Sequence, residues 1–93
     1  MAIVDYNKIT ACQRVNLEPL VDKFRAFNWK SYITFGESCS FIKRDLKQQY
    51  NKPFILVADT IKGKGVSFME DSIEWHYKNL TKELLDKALK ENE

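Results

Sequence analysis

Ninety-three residues, 44% hydrophobic and 13% aromatic, suit one small packed domain or a piece of a larger one, and argue against a disordered chain. Fifteen basic residues against thirteen acidic leave a net charge of +2, too little to support nucleic-acid binding on electrostatics alone. Two cysteines without a CxxC pair and a single histidine argue against a zinc site or a disulfide framework, and no apolar run is long enough to span a membrane. With no signal peptide visible and two free thiols, a cytoplasmic location is expected.

The apolar run Ala2-Ile3-Val4 reads as a buried parallel strand that exits through Asp5-Tyr6-Asn7-Lys8-Ile9. Open α/β sheets place ligand-binding groups at such strand exits. Asn7 offers a neutral side-chain oxygen there, and hard cations such as Mg²⁺ accept oxygens of that kind beside phosphate. Taken alone, an asparagine at this point is in most proteins simply a turn residue.

Residues 10–15 read as a polar loop. Asn16 is placed to cap a helix, with Pro19 tolerated in its first turn. Leu17, Leu20, Val21, Phe24 and Phe27 follow at helical spacing, and Asn28 is positioned to end the helix. Trp29 to Phe35 is aromatic and β-branched, which predicts a strand closed by Gly36. A second helix is expected from Ser38 or Ser40, with Cys39, Ile42 and Leu46 on one face. Asn51-Lys52-Pro53 breaks the chain, and Phe54 to Ala58 is an unbroken apolar run, as for a strand buried on both faces.

A loop is expected from Asp59 to about Leu80, followed by a helix from Thr81 with a Leu80–Leu85 staple and Leu84, Leu85, Ala88 and Leu89 inward. The order β-α-β-α-β-loop-α predicts an α/β fold with a three-stranded parallel sheet core and flanking helices. So thin a sheet leaves apolar surface uncovered, so association is expected, with itself or with a chain that completes the sheet.

Two features of the long loop carry chemistry. Lys62-Gly63-Lys64-Gly65 sets two conformationally free positions between two cations, which is either an ordinary flexible loop or an anion contact. It matches neither the Walker loop nor the dinucleotide fingerprint. His76, between Trp75 and Tyr77, is either a half-buried structural residue or a group that shuttles a proton or holds an anionic substrate. Nothing in the spacing brings Cys12 to His76 as a nucleophilic pair.

In chain order, DYNKI, EPLVDKFRAFNW, KPFILVADTIKGKGVSFME and SIEWH resemble the latter part of the cofactor-binding domain of transketolase, particularly the N-terminal subunit of the split enzymes. The resemblance runs from about Ile3 to Leu89 and makes residues 1–93 a single partial domain. It implies thiamine diphosphate held through Mg²⁺, with Asn7 as a side-chain oxygen ligand and Ile9 as a backbone carbonyl ligand at the cofactor. It also implies Lys62 beside the cofactor and His76 as the catalytic histidine near the diphosphate and a sugar phosphate substrate. The implied activity is transfer of a two-carbon ketol unit between sugar phosphates.

The family's Gly-Asp-Gly, with its anionic Mg²⁺ ligand, and the glutamate that activates the cofactor are both missing here. Complementary transketolase-like chains are therefore expected as partners, and the chain by itself is expected to be inactive. Tyr77 stands where the family commonly has glycine after Trp-His. The alternative is a non-catalytic truncated remnant that acts as a binding or assembly module.

Overall fold

A computed structural model describes residues 1–48 and 50–93. The elements run β1 (Ala2–Tyr6), α1 (Leu20–Ala26), β2 (Lys30–Phe35), α2 (Cys39–Leu46), β3 (Phe54–Asp59), a 3₁₀ turn (Glu74–His76) and α3 (Lys82–Glu91). The contacts divide the chain into two units. One is Met1–Tyr6 with Asn16–Thr60, and the other is Asn7–Val15 with Ile61–Glu93.

The first unit holds the sheet, ordered β1-β3-β2 and parallel throughout. The run Phe54-Ile55-Leu56-Val57-Ala58 takes the centre because only a strand paired on both sides can bury side chains on both faces; all five are buried. In this register Ala2, Val4 and Tyr6 share one face with Ile55 and Val57, and Leu20, Val21, Phe24 and Trp29 pack onto that face. Tyr32 and Phe54 point to the opposite face, where Tyr50, just beyond α2, closes against both rings at 5.7 and 5.1 Å. The connection from β1 to β2 steps over β3, and the next steps back. Right-handed crossovers in opposite directions put α1 and α2 on opposite faces.

The helix start differs from expectation. α1 begins at Leu20 with Pro19 as its cap and no side-chain cap bond, while Asn16 Oδ1 accepts instead from the Glu18 amide at 3.0 Å. The pyrrolidine ring pre-sets the first turn, and Asn16 is spent one turn earlier in the approach. Of the predicted α1 stripe, Leu20, Val21 and Phe24 reach the core, whereas Phe27 at 77% exposure does not. Ser38 caps α2 by accepting from the Phe41 amide, and Thr81 caps α3 by accepting from the Leu84 amide at 3.3 Å.

Cover is incomplete, as a three-stranded sheet requires. Ile33 and Phe35 on edge strand β2 remain 56% and 58% exposed, and Ile3 on edge strand β1 52%. In the second unit only Ala88 of α3 is buried, and Leu85 and Leu89 lie open, so the expected inward face of that helix is only partly covered. The stretch after β3 is not structureless. It forms tight turns around residues 62–65 and 67–71 before the 3₁₀ turn. Among the described residues no helix is long and apolar enough to cross a membrane.

Candidate functional site

Asn7, Ile9, Lys62 and His76 all fall within the second unit. Asn7 directly follows β1, and its Oδ1 accepts the Ile9 amide at 3.0 Å, an Asx turn that folds the chain sharply back. The turn is closed by the Val15 amide on the Lys8 carbonyl at 2.9 Å and by the Thr10 amide on the Gln13 carbonyl at 2.8 Å, so Ile9 and Arg14 pair as an antiparallel bridge. Closure this tight pushes Lys8 to φ 64°, a left-handed conformation that a lysine adopts only at a cost.

Among the described residues nothing donates to the Ile9 carbonyl, and the Asn7 side-chain oxygen has one lone pair committed and one free. Two neutral oxygens two residues apart thus remain available to a hard cation. They fit a share of an octahedral Mg²⁺ site and no more. Among the described residues no group of three His, Cys, Asp or Glu side chains is placed to hold a metal.

The turn is tied to the Lys62 loop by a contact invisible in the sequence. Arg14 donates to both Asp71 carboxylate oxygens, at 2.7 and 2.9 Å, and to the Asp71 carbonyl at 2.8 Å. The Asp71 amide in turn donates to the Lys62 carbonyl at 2.9 Å. The Arg14 hydrogen bond and charge hold the Asp71 carboxyl below its ordinary range, with a smaller contribution from Lys8. The same pair raises Arg14. Fifty-seven residues separate the partners, so no local periodicity announces them.

In the Lys62–Gly65 loop the two lysines differ. Lys64 lies 3.3 Å from Glu70, whose carboxylate also accepts the Gly65 amide at 3.1 Å. These bonds, the amide first, hold Glu70 below its usual range. Among the described residues the Lys62 ammonium has no ion-pair partner, which leaves it as the loop's uncommitted cation. Gly63 sits at φ 75°, and a Cβ there would lie 2.6 Å from the Met69 carbonyl oxygen, so only glycine lets the loop close.

Trp75 is the anchor of the histidine segment. It is buried, donates its indole N–H to the Phe68 carbonyl at 2.8 Å, and packs on the Phe68 ring at 5.4 Å. His76 follows on the outer side of that turn, exposed, its ring 4.6 Å from that of Tyr77. Tyr77 adopts φ −125°, an ordinary conformation, so the residue after the histidine needs no glycine in this chain. The structure therefore joins Asn7 and Ile9 in one turn and links that turn to Lys62 through Arg14 and Asp71. Among the described residues no direct contact joins His76 to either.

No protein-family model matches the chain. Comparison with curated proteins does find relatives. The chain is 38% identical, over its whole length, to the 6-deoxy-6-sulfo-D-fructose transketolase subunit SqwG of Clostridium sp. (strain MSTE9), covering 36% of that protein. It is 33% identical to one of the subunits of the apulose-4-phosphate transketolase of Phocaeicola vulgatus, over 98% of the chain and 35% of that relative. Transketolase from Rattus norvegicus is 30% identical over 98% of the chain and 15% of its own length. The chain thus spans about a third of the two bacterial proteins and about a sixth of the rat enzyme. From end to end, this chain is transketolase-like.

Proposed function

On the premise that the whole chain is related to transketolase, we propose that it forms the C-terminal portion of a thiamine-diphosphate-binding domain and acts only when complementary chains complete it. The observation that carries the proposal is the Asn7–Ile9 turn, in which, among the described residues, the Ile9 carbonyl and one Asn7 lone pair remain available. In this reading Asn7 and Ile9 supply two of the Mg²⁺ oxygens, and the Lys62 ammonium stands beside the diphosphate. When bound, thiamine diphosphate supplies the carbon nucleophile for two-carbon ketol transfer between sugar phosphates. His76, displayed on a turn that Trp75 fixes, orients the substrate by hydrogen bonding.

Two neutral oxygens do not offset the dehydration of Mg²⁺, so the anionic ligand comes from the partner. Subunit-type relatives and the uncovered Ile3, Ile33 and Phe35 support a multi-chain assembly. The test is calorimetric titration of Mg²⁺ and thiamine diphosphate into the chain alone and into its complex with a polypeptide bearing Gly-Asp-Gly. Binding is expected in the complex only, and Asn7→Ala is expected to weaken it by at least about tenfold, since losing even an outer-shell partner of a metal ligand costs about 10–100-fold. Micromolar affinity in the isolated chain refutes the proposal.

Tyr77, whose ring crowds His76, favours a second reading as a non-catalytic assembly module. Full activity of an Asn7→Ala complex would decide for it.

A further inference from the structure

We infer that the N-terminal edge of the sheet carries a second anion site, for a phosphate or small phosphomonoester, independent of the transketolase-like reading. A pocket of about 280 Å³ opens where α1 turns into β2, and its lining includes Arg25, Asn28, Trp29, Lys30, Ser31 and Lys52. All lie in the sheet-bearing unit, whereas Asn7 belongs to the other unit. The volume is just below the ~300–1,000 Å³ of drug-sized sites, which suits a headgroup rather than a whole cofactor.

Three observations converge on an anion. First, Arg25, Lys30 and Lys52 bring three cationic side chains to the pocket, and among the described residues no carboxylate lines it; Asp22 takes one Arg25 nitrogen at 3.0 Å. Second, the cations are positioned rather than loose. Arg25 also donates to the Ser31 carbonyl at 3.2 Å, and Lys52 donates to Asn28 Oδ1 at 2.7 Å. Asn28 is itself held at φ 66° in the turn that ends α1. Third, Ser31 lines the pocket at 2% exposure, and among the described residues its hydroxyl has no hydrogen-bond partner.

A buried hydroxyl without a partner is uncommon and calls for an acceptor. A tetrahedral oxyanion offers one oxygen to Ser31 while its others meet the Arg25 N–H groups that Asp22 and the Ser31 carbonyl leave over and the Lys52 ammonium. A carboxylate, with two coplanar oxygens, reaches fewer of these groups at once.

The test is an NMR titration of the full chain with inorganic phosphate, and separately with phenyl phosphate, against sodium chloride at matched ionic strength. Saturable shifts at the Ser31 amide and the Trp29 indole N–H are expected. Lys52→Gln and Arg25→Gln, at exposed side chains, are each expected to weaken binding by about tenfold, as for loss of one charge-assisted bond. Tighter binding of phenyl phosphate identifies a phosphomonoester as the occupant, and equal binding identifies phosphate itself. Shifts that chloride reproduces, shifts centred on Lys62 and Lys64, or wild-type affinity in both variants overturn the inference.

Discussion

Substituting alanine at Gly63 and at Gly65 separates two costs that usually come together. Both glycines have positive φ, 75° and 96°, so an L-residue at either pays about 1–2 kcal/mol for the left-handed conformation. Both substitutions also restrict the unfolded chain, which returns about 0.4–1 kcal/mol. The surroundings differ. At Gly65 the nearest atom to a new Cβ is the Asn92 side-chain oxygen at 3.0 Å, which can swing aside. At Gly63 it is the Met69 backbone, with carbonyl oxygen at 2.6 Å and carbonyl carbon at 2.7 Å, and backbone held in a turn cannot yield without breaking it. Gly63→Ala is therefore expected to destabilise the loop by about 2–4 kcal/mol, at the high end for strained backbone positions, and Gly65→Ala by about 1. Native-state hydrogen exchange at the Asp71 amide, which is bonded to the Lys62 carbonyl, reads the difference directly. Its protection should fall about five- to a hundredfold further in the Gly63 variant, since about 1.4 kcal/mol is a factor of ten. Equal losses in the two variants would show that the Met69 contact does not govern the loop.

In the sheet, Leu56→Ala removes a side chain of 0% exposure from the central strand and should cost about 2–5 kcal/mol in urea denaturation. Ile33→Ala on the open edge should change stability by no more than about 0.5 kcal/mol. For the Arg14–Asp71 contact, the Asp71 pKa is depressed in the folded chain. Its stabilising contribution is therefore present above the unfolded carboxyl pKa of about 3.9 and is lost as pH falls through the lower folded value. An NMR titration of the Asp71 carboxyl should show Arg14→Gln raising the pKa toward the unfolded range. High salt should do the same in part, because both side chains are more than half exposed.

The sheet was legible in the sequence because its residues encode their own burial. An unbroken FILVA run can only be a centre strand, and two crossovers from three strands can only give parallel pairing. Capping was legible at Ser38 and Thr81, where the acceptor lies three residues from its donor, and failed at Asn16, where proline set the helix start instead. Leu85 and Leu89 were misread as inward because helical periodicity marks an apolar face without saying what covers it. The site was less legible. Asn7, Ile9, Lys62 and His76 could be named by resemblance, but the contacts that shape their surroundings, the Arg14–Asp71 ion pair and the Gly65 amide on the Glu70 carboxylate, are made on irregular backbone. Periodicity carries no information about such pairs.

Tyr77 bears on both functional readings, because the transketolase resemblance implies a glycine directly after Trp-His and this chain has a tyrosine there. At φ −125° and ψ −17° a glycine would be no better accommodated. The tyrosine is 73% exposed, so it is not retained for packing. What it does is place a ring 4.6 Å from the imidazole of His76, covering one side of the group that would meet substrate. Tyr77→Gly should leave stability within about 0.5 kcal/mol, as for an exposed position free of buried contacts. In a completed ketol-transfer complex it should lower KM for the sugar phosphate with little change in kcat, the pattern of relieved access rather than altered chemistry. A complex that stays inactive with either residue, although it binds Mg²⁺ and thiamine diphosphate, would place this chain in an assembly role and take His76 out of the reaction.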